Sequence, residues 1–246
     1  MIRFEGVSRT FAQEGGDVFA VADLDLEVAR GETLCLIGAS GCGKTTTLRL
    51  VNRLLEPTSG RVLVGDTDVA ETDPIRLRRR IGYVVQSGAL FPHLTVRANV
   101  GLLLKLEGHP EGERRARVDE LLGNVHLDPA EFADRYPSEL SGGQAQRVGV
   151  ARALALDPEI VLMDEPFGAL DPITRQQVRD EFLELDRAVA KTVLIVTHDL
   201  DEAFELGDRV ALMDAGRLLQ VGTLEEFRTA PATPHVERFL RTHLDA

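Results

Sequence analysis

Cysteine is scarce in this chain, and long apolar runs are missing. The two cysteines, Cys35 and Cys42, are too few for the disulfide framework of a small secreted fold. No apolar run approaches the ~20 residues that a helix needs to cross a bilayer. No positively charged segment followed by an apolar stretch opens the chain, so no secretory leader is predicted. We therefore expect an intracellular protein without a membrane span.

Positive charge is also in short supply. Lys and Arg number 28 against 40 Asp and Glu, which gives a formal net charge of −12. A nucleic-acid surface needs a basic stripe, so we expect no nucleic-acid partner. The exception is the run Arg76-Leu77-Arg78-Arg79-Arg80, which fits a solvated helix face or a contact with lipid or a partner. With 246 residues and no internal repeat, the chain can hold one large domain or two small ones.

A glycine-rich segment is the most informative feature that is present. Residues 38–45 fit the pattern G-x-x-x-x-G-K-[ST], between a predicted strand at Thr33–Ile37 and a predicted helix at 46–51. Backbone N–H groups of such a loop bind the phosphates of a nucleoside triphosphate, Lys44 neutralises phosphate charge, and the Thr45 hydroxyl binds Mg²⁺. The candidate phosphate-binding residues are Gly38, Ala39, Ser40, Gly41, Cys42, Gly43, Lys44, Thr45 and Thr46.

Polar residues follow three other predicted strands. Asp164 and Glu165 follow Ile160–Met163, His198 follows Thr192–Val196, and Gln86 follows Ile81–Val85. Parallel strands deliver ligand-binding groups at their carboxyl ends. We therefore predict that Asp164 holds Mg²⁺, that Glu165 polarises the attacking water, and that His198 hydrogen-bonds the γ-phosphate.

Each of these residues also has a plainer interpretation. The Gln86 amide could reach Mg²⁺ or the water, or it could be structural. An acidic pair after a strand is often a solvated turn, and a single histidine is usually structural or exposed. These residues become evidence for a nucleotide site because they occur in the same chain as the phosphate loop.

The order of these motifs, with Leu140-Ser141-Gly142-Gly143-Gln144 and Ala169-Leu170-Asp171 between them, resembles the ATP-binding subunit of an ABC transporter. The resemblance extends from about Phe4 to Gly222. It implies a homodimer in which Ser141, Gly142, Gly143 and Gln144 of one subunit close over ATP held by the other. It also implies that Asp171 links the two sites and that the Phe11 ring stacks on adenine. The predicted helix start at Ser141 agrees, because free N–H groups there favour an anion.

The resemblance implies an α/β fold, that of a P-loop ABC-type ATPase with a RecA-like core sheet. Residues 1–246 are expected to form a single ABC ATPase domain. Residues 1–86 and 157–246 would supply an N-terminal antiparallel β subdomain, the core and the C-terminal tail. Residues 87–156 would form an inserted α-helical subdomain, in keeping with opposite charges at helical spacing over 113–122.

Residues 51–60, 81–86, 90–96 and 168–175 resemble the osmoprotectant importers for glycine betaine, choline and carnitine, in a short form without C-terminal regulatory modules. This implies ATP and Mg²⁺ as ligands, integral membrane permease subunits as partners, and indirectly a periplasmic or lipid-anchored solute-binding protein. The expected location is peripheral, on the cytoplasmic face of the cell membrane.

Alternative functions remain open at this point. They are import of another small polar solute such as an amino acid, a soluble ABC ATPase outside transport, and a module that binds ATP without turnover. The segment Ser87-Gly88-Ala89-Leu90-Phe91-Pro92 would contact the permease, or it would be an ordinary buried connector.

Overall fold

The structure, a computed structural model, describes residues 1–13, 16–86, 89–168, 170–189 and 191–244. Three residues of predicted motifs, Ser87, Gly88 and Ala169, lie outside the described residues.

The described residues begin with three strands, and helices are most frequent between β6 and β7. The strands are β1 (Ile2–Gln13), β2 (Gly16–Val28), β3 (Thr33–Ile37), β4 (Ser59–Val64), β5 (Thr67–Asp68), β6 (Ile81–Val84), β7 (Ile160–Asp164), β8 (Thr192–Val196), β9 (Arg209–Asp214) and β10 (Arg217–Gly222). The helices are α1 (Lys44–Val51), α2 (Pro74–Arg79), α3 (Val96–Val100), α4 (Leu102–Leu106), α5 (Glu111–Asn124), α6 (Pro129–Phe132), α7 (Gly142–Ala153), α8 (Pro172–Val189), α9 (Leu200–Leu206), α10 (Leu224–Thr229) and α11 (Pro234–Leu244).

The chain forms two compact units. The first contains Met1–Arg78 and Thr192–Ala246, and the second contains Arg79–Lys191. Strands β6 and β7 thus fall in the same unit as the helices between them. The predicted single domain with a helical subdomain over 87–156 stays a prediction.

An antiparallel sheet opens the first unit, with strand order β2-β1-β4-β5. Leu24, Leu26 and Val28 of β2 are buried, and the acidic residues between them are exposed. Successive side chains of a strand point to opposite faces, so this alternation gives β2 one face for the core and one for water. The antiparallel sheet predicted near the N-terminus is present.

Parallel strands form the rest of the first unit's core. Every residue of β3 and of β8 is buried, as expected of strands covered on both faces. Strand β3 pairs in parallel with β8 and with β9. Strand β10 returns antiparallel to β9 through Ala215 and Gly216, whose φ angles of 44° and 80° suit a two-residue hairpin turn. The carboxyl ends of β3 and β8 therefore lie side by side.

Helix α7 is the central helix of the second unit. It packs against β6, and α3, α5 and α8 pack against α7. A Cβ atom on Gly82 of β6 would lie 2.7 Å from the Ala153 carbonyl oxygen, so the glycine is what lets helix and strand approach this closely. Strand β6 pairs in parallel with β7, with Ile81 opposite Ile160. None of the described helices has both the length and the apolar character required to span a bilayer.

Candidate functional site

The loop between β3 and α1 is shaped by two close backbone approaches. Gly38 and Gly43 have φ angles of 141° and 107°, a region that glycine tolerates and other residues avoid. A Cβ atom on Gly38 would collide with the Met213 carbonyl oxygen, and one on Gly43 would collide with the Ala20 carbonyl oxygen. The predicted phosphate loop is therefore pressed against β9 on one side and β2 on the other.

Backbone hydrogen bonds fix the same loop to the β9–β10 hairpin. The Gly216 N–H donates to the Cys42 carbonyl oxygen over 3.0 Å, and the Ala22 N–H donates to the Gly216 carbonyl oxygen over 2.8 Å. The hairpin turn thus joins the loop to β2. These two hydrogen bonds hold the loop and the hairpin in a fixed arrangement.

Lys44 lies beneath the exposed part of the loop. Its Nζ donates to the carbonyl oxygens of Gly38 and Ala39 over 2.8 and 3.0 Å, and the residue is 6% exposed. Ala39, Ser40 and Gly41 are exposed. A lysine ammonium has donors only, so it can brace the loop carbonyls and still attract an anion above them.

Helix α1 begins without a cap. Gly43 at its N-cap makes no side-chain capping bond, and the first turn holds no acidic residue. Thr45 and Thr46 are half-buried in that turn. The first N–H groups of a helix have no partner within the helix, and together with the helix dipole they favour an anion. The start of α1 therefore suits a phosphate group.

His198 lies at the same sheet edge as the phosphate loop. The Thr197 N–H donates to the Leu36 carbonyl oxygen over 3.1 Å, which continues the pairing of β8 with β3. Thr197 Oγ1 accepts from the Asp199 N–H over 3.1 Å, and Asp199 caps α9. His198 is exposed between these two fixed neighbours. The first unit thus brings the loop and the predicted histidine to adjacent strand ends.

Phe11 is half-buried on β1, opposite Val18 of β2. The guanidinium carbon of Arg9 lies 4.6 Å from the centroid of the Phe11 ring. Sequence reasoning selected Phe11 but not Arg9. The spacing could have revealed it, because residues i and i+2 of a strand share a face.

In the second unit, Asp164 ends β7 and is 7% exposed. The Tyr83 hydroxyl lies 3.5 Å from Asp164 Oδ2, a long hydrogen bond that sequence reasoning did not predict. Glu165 follows with a φ of 45° and is half-buried. A residue other than glycine in this region costs on the order of 1–3 kcal/mol and occurs most often where function fixes a side-chain direction.

Gln86 lies two residues beyond β6 and is exposed. Its Nε2 donates to Glu165 Oε2 over 3.0 Å. The second unit therefore brings together two residues that were predicted separately. Their contact could have been predicted, because the carboxyl ends of neighbouring parallel strands lie side by side.

Ser141 caps helix α7. Its Oγ accepts from the Gln144 N–H over 3.3 Å, and Gln144 Oε1 accepts from the Ser141 N–H over 2.9 Å. Ser141 and Gly142 are exposed, whereas Gly143 is buried, where a Cβ atom would lie 2.5 Å from Thr174 Cγ2. The predicted helix start is present, and Ser141 and Gly142 face solvent.

Asp171 precedes α8 and acts as its cap. Asp171 Oδ1 accepts from the Thr174 N–H over 3.1 Å. Hydrogen bonds from the Thr174 side chain and backbone hold the pKa of the Asp171 carboxyl below its usual value. Sequence reasoning missed this capping role, which the order Asp-Pro-x-Thr at 171–174 could have indicated.

The described part of the 87–92 segment is clamped by Asn99, which is fully buried. Asn99 Oδ1 accepts from the Phe91 N–H over 2.8 Å, and Asn99 Nδ2 donates to the Phe91 carbonyl oxygen over 3.1 Å. The Phe91 side chain is nonetheless 42% exposed, whereas Leu90 is half-buried. The Phe91 side chain is thus more accessible to a partner than that of Leu90. The contact with a permease stays a prediction.

Comparison with known proteins identifies the family of this chain. Residues 21–168 match the family model described as ABC transporter. The chain belongs to the ABC transporter family. The predicted family is therefore confirmed.

Curated relatives cover nearly the whole chain. It is 51% identical over 240 residues to the glycine betaine/carnitine/choline transport ATP-binding protein OpuCA of Bacillus subtilis, covering 98% of this chain and 62% of that protein. It is 44% identical over 241 residues to the osmoprotectant import ATP-binding protein OsmV of Salmonella typhimurium, covering 98% of this chain and 63% of that protein. The chain thus spans less than two thirds of the length of these relatives.

A solved structure shows the same fold. It is a dimeric, post-hydrolysis state of an ATP-binding cassette bound to ADP and Pi, with a TM-score of 0.82 and 35% identity over 91% of this chain and 99% of that one. The predicted fold class, that of an ABC ATPase cassette, is confirmed.

The lowered pKa of Asp171 gives this ABC cassette a predicted pH dependence. A carboxyl group whose pKa is lower in the folded state stabilises the fold at pH values above its unfolded-state pKa of about 3.9. This stabilisation is lost as pH falls through the folded-state pKa. Asp171→Asn keeps a capping oxygen but does not titrate. We expect the variant to have a lower urea midpoint than the parent at pH 7, and the difference to shrink in acid.

Asp180→Asn, farther along the same helix, controls for the loss of one negative charge. A midpoint difference for Asp171→Asn that stays constant from about pH 7 to about pH 3 would contradict the assignment.

Proposed function

We propose that this cassette is the ATP-hydrolysing subunit of a membrane importer for small solutes, namely quaternary-amine osmoprotectants. The observation that carries the proposal is the 51% identity over 240 residues with a protein named for glycine betaine, carnitine and choline transport. The solved cassette dimer with ADP and Pi supports ATP hydrolysis as the reaction.

ATP binding is assigned to three groups. The loop residues Gly38–Thr46 would hold the phosphates, with N–H groups at the start of α1 and the Lys44 ammonium facing their negative charge. The Phe11 ring would stack on adenine, which needs an aromatic face but no hydroxyl group. Ser141, Gly142, Gly143, Gln144 and Asp171 would act from the second copy in a homodimer.

Water activation is assigned to Glu165. The carboxylate would take a proton as the water oxygen attacks the γ-phosphorus, while the bond from that phosphorus to ADP breaks. The hydrogen bond from Gln86 Nε2 to Glu165 Oε2 would hold the carboxylate in one direction for this role. His198 would donate to a γ-phosphate oxygen and orient the water.

The proposed donors also fit Mg²⁺, which prefers oxygen ligands. They would be the Thr45 hydroxyl, the Gln86 side-chain carbonyl and the Asp164 carboxylate. The hydrogen bond from Gln86 Nε2 to Glu165 supports this choice, because it leaves the carbonyl oxygen of the amide for a cation. When bound, Mg²⁺ supplies neutralisation of phosphate charge.

Transport requires partners in the membrane. We propose integral permease subunits, contacted through the exposed Phe91 ring, and indirectly a periplasmic or lipid-anchored solute-binding protein. The cassette would then be peripheral on the cytoplasmic face of the membrane. The absence of a spanning helix among the described residues is compatible with this arrangement.

The assignment of Glu165 predicts a separation of binding from turnover. Glu165→Gln keeps size and hydrogen bonding but removes the base, so we expect ATP binding to persist and hydrolysis to fall by about 100-fold or more. Phosphate release measures hydrolysis, and titration calorimetry with ATP measures binding. Glu159→Gln, at the other end of β7, serves as control. Hydrolysis by Glu165→Gln at near the parent rate would remove Glu165 from the role and leave His198 as the main candidate.

The proposed homodimer predicts an effect at Ser141. Ser141→Asp keeps a good helix cap, so α7 should stay intact, but its carboxylate would repel the phosphates of ATP on the partner. In a Glu165→Gln background, we expect ATP to dimerise the parent and not the Ser141→Asp variant, as measured by light scattering. Ser138→Asp places the same charge three residues earlier on an exposed site. Unchanged dimerisation of Ser141→Asp would reject the proposed interface.

The solute class is tested by uptake. The cassette is reconstituted in proteoliposomes with its permease and solute-binding protein. We expect it to drive ATP-dependent accumulation of labelled glycine betaine, choline or carnitine. Glu165→Gln in the same vesicles is the control for energy coupling. Uptake of an amino acid such as glutamine in place of these amines would favour the alternative solute. A cassette that hydrolyses ATP but joins no permease would favour a soluble ATPase outside transport.

A further inference from the structure

Arg9 and Phe11 occupy the same face of strand β1, two residues apart. The guanidinium carbon of Arg9 lies 4.6 Å from the Phe11 ring centroid, within the range of a cation–π contact. Arg9 Nε is buried and has no hydrogen-bond partner in the part of the chain that the structure describes. A guanidinium that lies over a ring rather than against a carboxylate accounts for both observations.

The far end of the same guanidinium is anchored. Arg9 Nη1 donates to the Glu56 carbonyl oxygen over 3.0 Å. The strand around it is tied to the same segment, because the Thr10 N–H donates to Thr58 Oγ1 over 3.1 Å and the Thr58 N–H donates to the Ser8 carbonyl oxygen over 2.7 Å. Residues 56–58 follow α1, the helix that starts at the phosphate loop. Arg9 is therefore held at one end while its guanidinium carbon lies over the Phe11 ring.

We propose that Arg9 is a positioning residue for the nucleobase: it covers one face of the Phe11 ring and leaves the other face for adenine. This rests on the proposed function, in which Phe11 stacks on the base. Arg9 does not touch adenine in this proposal. It acts through the aromatic ring.

Two physical effects follow from a fixed cation on the far face of the ring. The ring loses rotational freedom before the nucleotide binds, so less entropy is lost on stacking. The cation also draws π-electron density towards itself, which weakens the repulsion between the free ring face and the π-electrons of adenine. Both effects strengthen base stacking and leave phosphate binding unchanged.

A purely structural role makes a different prediction. If Arg9 only ties β1 to Glu56, its loss would loosen the sheet and affect every ligand of the cassette. The test therefore compares ATP with tripolyphosphate, which carries three phosphates and no base or ribose. Titration calorimetry with Mg²⁺ present gives the dissociation constant of each ligand.

The key variant is Arg9→Met, which keeps an unbranched side chain of similar reach without charge. We expect it to weaken ATP binding by about 2- to 5-fold and to leave tripolyphosphate binding unchanged. Arg9→Lys, which keeps the charge, should recover part of the loss. Arg3→Met removes an arginine from the same strand that pairs with Glu5 instead, and should change neither constant.

Combination with Phe11→Ala decides whether Arg9 acts through the ring. We expect Arg9→Met to have no further effect on ATP binding once the ring is gone, as a double-mutant cycle would show. The proposal is overturned if Arg9→Met changes both ligands equally, changes neither, or weakens ATP binding to the same extent without Phe11. If the parent cassette binds neither ATP nor tripolyphosphate, the proposed function itself fails.

Discussion

The close approach of the Gly38 and Gly43 backbone to neighbouring strands is the constraint on which the first unit depends. Each glycine meets a carbonyl oxygen of another strand, Met213 of β9 or Ala20 of β2, at a distance that admits no side chain. The loop, the antiparallel sheet and the β9–β10 hairpin are therefore fixed against one another at one place. A larger residue at Gly38 would collide with β9, and one at Gly43 would collide with β2, which makes the loop the junction of this unit.

The start of helix α1 differs from the starts of several other described helices. Thr95, Asp128, Asp199 and Thr223 each accept a backbone N–H at the start of a helix with no proposed ligand. Helix α1 has no such side chain and no acidic residue in its first turn. A cap or a carboxylate there would compete with an incoming phosphate. The missing cap of α1 is thus consistent with its proposed role.

Much of this architecture could be predicted from the sequence, and the reason is burial. The bounds of β3 and β8 match their predicted spans because short apolar runs enclosed on both faces leave little choice of structure. The positions of Asp164 and His198, at or just beyond the ends of buried strands, were predicted for the same reason. The contacts of Gln86 with Glu165 and of Arg9 with Phe11 were not found, because they depend on strand pairing and side-chain direction. Strand ends and the i, i+2 spacing limit the possible partners, and the folded structure shows which of them meet.

The backbone conformation of Glu165 gives information that the sequence pattern of an acidic residue after a strand does not. An acidic residue after a strand could be a solvated turn, and a turn that needs positive φ is served at lower cost by glycine. Glutamate adopts φ of 45° here and directs its carboxylate to the Gln86 amide. Strain of this kind persists where surrounding structure holds a side chain in one direction. Asp171, by contrast, is accounted for by the cap it makes on α8. The positive φ of Glu165 and its hydrogen bond to Gln86 are thus consistent with the role proposed for its carboxylate.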